Sequence, residues 1–302
     1  MLFTRLLIGL SRYSKIVDTA WLRLLSGRFL LLTVCRLRVE PVQSGDDRRD
    51  CVLQFVKKAV EKLLGLEIKR VSRENQGRLG DLTPEMRNTI ERAVPCTMTS
   101  RERLAALCMA VEYVVGNRIP GAFVECGVWK GGSSMAAALT YRQFGREDVD
   151  LFLFDTYEGM SEPSEEDIQR VSGKPAKHLL STSKRNELVW AYAPMDEVRR
   201  NLASTGYPAD HLHFVKGKVE DTIPTGAPEQ ISILRLDTDW YESTKHELVH
   251  LFPRLSKNGI LIVDDYGDWA GARKAVDEYF AQAGMKPFLG RIDGTGRIYV
   301  KA

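Results

Sequence analysis

The chain has 302 residues, 44% of them hydrophobic and 27% charged, which fits one large globular domain or one domain with an appendage. That composition excludes a disordered, collagen-like or disulfide-scaffold chain. The net charge of +3 is unevenly laid out: residues 1–39 carry seven basic residues and one acid, Asp18, so the remainder is mildly acidic at −3. An acidic body excludes nucleic-acid binding as the main task, because phosphate contacts need clustered Lys and Arg. Cys35, Cys51, Cys96, Cys108 and Cys126 are odd in number and widely spaced, with no CxxC pair. Neither a zinc site nor a disulfide framework follows, and the usage fits a reducing, cytoplasmic setting.

The head repeats apolar residues at helical spacing (Leu2, Phe3, Leu6, Leu7, Leu10, then Ile16, Val17, Ala20, Trp21, Leu24, Leu25) with basic residues between them. This is a basic amphipathic helix pattern. Its strongest apolar run, Phe29–Cys35, is far short of the roughly 20 residues that span a bilayer. Charges interrupt every candidate core of a secretory signal. Two readings stay open for residues 1–39: peripheral attachment to anionic lipid or a partner, and packing on the body or a second subunit. Residues 40–50 read as a polar linker. Helices are expected over 51–64, 84–93 and 101–117, the last capped by Thr99 or Ser100 with Glu102 in its first turn.

From residue 120 short apolar runs alternate with helical stretches. The strands expected are Ala122–Cys126, Leu151–Phe154, Leu212–Val215, Ile231–Leu236 and Ile260–Val263, with helices near 133–144, 194–204, 242–254 and 270–283. Continuous apolar strands between amphipathic helices imply an α/β fold with a parallel sheet covered on both faces. Ligands then bind beyond the carboxyl ends of the strands.

Each strand end carries polar residues. The first is followed by Glu125, Cys126, Gly127 and the Gly131-Gly132-Ser133-Ser134 turn, where glycine permits sharp turning and a helix N-terminus favours an anion. A tight strand-to-helix turn would use the same residues. The second strand ends at Asp155, with Thr156 and Tyr157 after it, about 30 residues beyond the glycine loop, where a ribose is usually gripped. A helix cap is the alternative for one Asp, which its pairing with the glycine loop disfavours. Strand Ile231–Leu236 runs into Asp237 and Asp239, and strand Ile260–Val263 into Asp264 and Asp265. Neighbouring parallel strands would bring these ends roughly 4.8 Å apart. Crowded carboxylates repel, and a hard cation such as Mg²⁺ relieves that repulsion. Helix capping, or pairing with Arg235, Lys245 or Arg273, is the alternative.

The strings FVECGVWKGGSS, FLFDTYEGM, LRLDTDWYEST and ILIVDDYGDWAGARKAV together resemble the macrocin O-methyltransferase family of sugar O-methyltransferases in natural-product pathways, over about residues 80–300. The resemblance implies a class I, Rossmann-like fold with a mostly parallel seven-stranded sheet, its final hairpin formed by Lys286–Leu289 and Arg297–Val300. It implies S-adenosylmethionine and a divalent cation, usually Mg²⁺, as cofactors. Glu125, Gly127, Gly131, Gly132 and Ser133 would hold the methionine end and Asp155 and Thr156 the ribose. Lys218 and Asp221 would lie near the adenine. Asp237, Asp264 and Asp265 would bind the metal, and Asp239 would act as the base beside Asp237. The chain departs from the pattern at Thr238, where a glycine often separates the two acids.

The implied activity is methylation of a sugar hydroxyl on a glycosylated small molecule. A catechol or other vicinal diol is an alternative acceptor, and a non-catalytic nucleoside-binding protein of the same fold is another reading. Three regions are expected: 1–39 as the helical extension, 40–119 as a helical part contributing to lid and pocket, and 120–302 as the methyltransferase domain, with a homo-oligomer the expected assembly. The long charged stretch from Glu158 to Arg185 reads as a lid, the alternative being a solvated helix and loop.

Overall fold

The computed structural model describes residues 79–302; the expectations for residues 1–39, the linker and the helix at 51–64 lie outside them. Helix α1 spans Pro84–Ala93, with the Thr83 hydroxyl accepting from the Met86 amide and proline in the first turn. Helix α2 spans Arg101–Gly116 and is capped by Ser100, whose hydroxyl accepts from the Arg103 amide at 3.1 Å.

Then comes the α/β alternation. Strand β1 (Ala122–Cys126) leads into α3 (Gly132–Gln143), and β2 (Leu151–Asp155) into α4 (Ala176–Thr182) and α5 (Met195–Ala203). Strand β3 (Leu212–Lys216) is followed by the short α6 (Val219–Thr222), β4 (Ile231–Leu236) by α7 (Tyr241–Leu251), and β5 (Leu255–Val263) by α8 (Ala270–Gln282). A hairpin of β6 (Gly290–Arg291) and β7 (Arg297–Val300) ends the chain.

The seven strands lie in the order β3-β2-β1-β4-β5-β7-β6, the first five parallel and β7 antiparallel to β5. Side chains alternate across the sheet. Phe123, Leu153, Ile233 and Ile262 face α2, α3 and α5 through Val111, Ala138, Val198 and Leu202. Val124, Phe154, Leu234 and Leu261 face α7 and α8 through Leu248, Leu251, Val276 and Phe280. Helix α1 packs outside α2 and α3 through Met86, Ile90 and Ala93 against Leu104, Cys108 and Ala136.

The expected fold class holds. Two edges differ from expectation. Strand β5 starts at Leu255, earlier than its apolar run, because Asn258 donates to the Lys301 carbonyl and Lys301 donates to that of Gly259. Residues 286–289 are not a strand: Pro287 has no amide to donate, pairing begins only at Gly290, and Phe288 is left 88% exposed.

Residues 158–194 cover the carboxyl edge of the sheet. The segment is tied down at Asp167, whose Oδ1 accepts from the Tyr241 amide at 2.7 Å and whose Oδ2 accepts from the Ser164 amide and hydroxyl. Ala176 and Leu180 pack with Trp240 and Trp269, whose rings meet edge-on at 4.9 Å.

Candidate active site

A cavity of about 390 Å³ lies at the carboxyl ends of β1, β2, β4 and β5. That is within the roughly 300–1,000 Å³ of small-molecule sites. Its floor is built by the ladder. The Gly127 amide donates to the Phe154 carbonyl, Asp237 to Cys126 and Asp264 to Leu236, so each strand end is registered on its neighbour. Gly127 takes a left-handed backbone (φ 82°), and a Cβ there would stand 2.6 Å from the Asp237 carbonyl carbon. The β1 and β4 loops touch through bare backbone.

At the β2 end, Asp155 clamps the glycine loop. Its Oδ2 accepts from the Val128 and Trp129 amides at 2.7 and 2.9 Å, and its Oδ1 accepts from Tyr157 at 2.6 Å. Burial pushes its carboxyl up against the pull of these three donors. Gly127, Ser133, Asp155, Thr156 and Lys218 all line the cavity. Among the residues expected at the cofactor, Glu125, Gly131, Gly132 and Asp221 do not. Gly131 and Gly132 allow close packing instead: a Cβ would meet the Leu202 side chain at 2.7 Å in the first case and the Cys96 carbonyl at 2.6 Å in the second.

Glu125 stands behind the wall, fully buried, accepting from Arg235 and from the Ser134 hydroxyl. In register beside it on β4, Arg235 is 2% exposed and donates to Glu125 and Asp237, both at 2.7 Å, and to Asp264 at 2.6 Å. Three carboxylates hold that guanidinium charged, against the effect of burial. Asp264 also pairs with Arg103 from α2 and accepts from the Thr99 hydroxyl. Of the alternative partners, Arg235 is thus a true member of the cluster, whereas Lys245 donates to the Tyr241 hydroxyl and Arg273 pairs with Asp277.

The group that can converge on one cation, among the described residues, is Asp237, Asp239 and Asp265, each offering an oxygen within 4.8 Å of the others. The sequence reading placed Asp264 in that set; the structure turns its oxygens to Arg235, Arg103 and Thr99. Loss of bulk water pushes Asp237 and Asp265 well above the usual carboxylate range and Asp239 up to about 7. The Asp239 and Asp265 carboxyls face each other, an interaction that lowers Asp239 and raises Asp265. An all-oxygen donor set strained by its own repulsion fits a hard divalent cation.

Sequence reasoning missed Arg103, Thr97 and Met98, which line the cavity. A signal existed for Arg103. Arg101 and Arg103 sit in the first turn of a helix, where the macrodipole disfavours cations.

The chain matches the macrocin-O-methyltransferase (TylF) family over residues 49–301. It belongs to that family. It is 33% identical over 251 residues to an 8-demethyl-8-(2,3-dimethoxy-alpha-L-rhamnosyl)-tetracenomycin-C 4'-O-methyltransferase of Streptomyces olivaceus, covering 83% of this chain and 92% of that one. Over 200 residues it is 32% identical to the demethyldecarbamoylnovobiocin O-methyltransferase of Streptomyces niveus, covering 66% and 73%. The solved O-methyltransferase NovP superposes with a TM-score of 0.61 at 32% identity, over 68% of this chain and 82% of that one. These relatives are O-methyltransferases, as the sequence motifs led us to expect. Among the described residues no helix is long and apolar enough to cross a membrane.

Proposed function

We propose that this protein transfers a methyl group from S-adenosylmethionine to a sugar hydroxyl of a glycosylated small molecule, with a divalent cation at the Asp237–Asp239–Asp265 rim. The observation that carries the reading is the continuity of one cavity from the glycine loop and Asp155 to this carboxylate trio. The named relatives support the acceptor class, since the tetracenomycin enzyme acts on a rhamnosyl compound and another relative is a mycinamicin III 3''-O-methyltransferase of Micromonospora griseorubida.

The chain's residues divide the work. The Gly127–Trp129 loop, Asp155 and Thr156 form one wall for the cofactor, and Lys218 with Glu220 forms another. S-adenosylmethionine would supply an electrophilic methyl group on a sulfonium, and the acids around the cavity suit a cation. Asp237, Asp239 and Asp265 would hold the metal, which when bound makes a hydroxyl more acidic. Asp239, the least raised of the three at about 7, would accept the hydroxyl proton. Asp264 stays with its two arginines and fixes the rim. Met160, Val189 and Trp269 line the cavity and would limit water around a bound ligand.

Titration calorimetry with S-adenosylmethionine, with and without Mg²⁺, on wild type and Asp237→Asn tests this. Wild type should bind the cofactor in both conditions, and turnover of a glycoside acceptor should need the cation. Absence of cofactor binding by wild type would overturn the function, leaving a non-catalytic member of the fold. Turnover unchanged by chelation would remove the metal.

A further inference from the structure

Glu247 lies on α7, is fully buried and belongs to none of the roles above. Its Oε1 accepts from the Thr238 hydroxyl at 2.9 Å, while its Oε2 has no hydrogen-bond partner. Leu248 and Leu251 on the same helix enter the apolar core between sheet and helix. A leucine at 247 would cost nothing in desolvation, whereas a half-satisfied buried carboxyl does. Burial, with the nearby Glu220, Asp265 and Asp237, pushes Glu247 well above the usual carboxylate range, against the hydrogen bond from Thr238.

Thr238 sits between Asp237 and Asp239. Asp239 has a left-handed backbone, φ 67°, uncommon for a residue with a side chain. The family pattern often has glycine between these acids; here a β-branched residue, tied by its hydroxyl to a buried acid, takes that place. The turn is also pressed from the β1 side by the Gly127 backbone. It is therefore held from two directions, and both carboxylates that it presents belong to the cation trio.

We propose that Glu247 is a positioning residue for the reaction, acting through the Thr238 hydroxyl to fix the turn that aims Asp237 and Asp239. This rests on the cation reading of the preceding section. A carbonyl acceptor suffices for the role, so charge on Glu247 is not needed. Residues that orient metal-binding groups typically contribute about 10–100-fold to affinity.

The test is calorimetry of Mn²⁺ binding to wild type, Glu247→Gln, Glu247→Leu, Thr238→Val and the Leu/Val double variant, together with kcat and KM for S-adenosylmethionine. Glu247→Gln should stay within about twofold of wild type, because its amide oxygen still accepts from Thr238. Glu247→Leu and Thr238→Val should each weaken Mn²⁺ about tenfold or more. The double variant should be no weaker than either single one, since both break one bond. At saturating Mn²⁺, KM for S-adenosylmethionine should hold while kcat falls. Should Glu247→Leu fail to fold, Thr238→Val, which changes a residue on the cavity wall, carries the test alone. Wild-type Mn²⁺ affinity in Thr238→Val, or a Glu247→Gln loss as large as that of Thr238→Val, would overturn the proposal. Failure of wild type itself to bind Mn²⁺ would instead overturn the cation reading.

Discussion

Arg103 in the first turn of α2 pairs with Asp264 at the end of β5, 161 residues away. The Arg103 Nε also lies 3.0 Å from Asp293 in the terminal hairpin, so one side chain joins a helix, a strand end and a turn. Removing one partner of a buried pair typically costs about 3–5 kcal/mol. Because Asp264 keeps Arg235 and Thr99, Arg103→Met should fall at or below the low end, about 3 kcal/mol, in urea unfolding. Arg103 also faces the cavity, so kcat should drop more than in Asp293→Asn.

Asp293 gives a pH signature. Burial raises its pKa, but Ser100 at 2.6 Å, the Thr295 and Gly296 amides at 2.8 Å and Arg103 outweigh that and hold it down at about 2. A carboxyl depressed in the folded state stabilises above its unfolded pKa of about 3.9 and loses that contribution as pH falls toward 2. The contribution at neutral pH is about 2 kcal/mol at most, since the group is partly open to solvent. Wild type should therefore be more stable than Asp293→Asn at pH 7, with the gap closing between pH 4 and pH 2 in urea titrations.

The trio's repulsion predicts opposite signs for stability and function. Metal-free Asp265→Asn should melt above metal-free wild type, because one of three crowded acids is gone. Excess Mg²⁺ should raise the melting temperature of wild type and not that of the variant, whose turnover should vanish. A fall in the melting temperature of the metal-free variant would contradict the account of crowding.

The cover over the cavity hangs on Asp167. A Cβ at Gly271 would overlap its Oδ1 and stand 3.1 Å from both the Asp167 Cγ and the Tyr241 Cβ. Gly271→Ala should destabilise the protein by about 1–3 kcal/mol through overpacking and loosen residues 158–194. Limited proteolysis should cut this segment faster in the variant. S-adenosylhomocysteine should slow that cutting in wild type; unchanged rates would refute closure over the ligand.

Much of this was legible in the chain, for identifiable reasons. Strands β1, β4 and the Ile260–Val263 part of β5 are buried on both faces, so their apolar runs stood out, and the acids after β4 and β5 were placed by strand adjacency alone. The roles of the acids were less legible. Which carboxylate faces a cation and which faces an arginine depends on side-chain direction across 161 residues of chain, and no spacing encodes that. Asp264, expected as a metal ligand, faces two arginines for this reason, and Asp239, expected as the base, stands within the carboxylate trio. Glu125 was found as a motif residue, but its direction into the core follows from the pleat, which pairs it with Arg235 in register. The cover segment lacks periodicity because it is anchored through Asp167 and two tryptophans rather than by an apolar stripe.

The bare-backbone contact between Gly127 and Asp237 has a thermodynamic corollary. The loop that meets the cofactor and the turn that meets the cation share a surface with no side chain to absorb a shift, so ordering one orders the other. Occupancy of the two sites should then be linked, and linkage is reciprocal: whatever factor the cation lends to cofactor affinity, the cofactor must return to the cation.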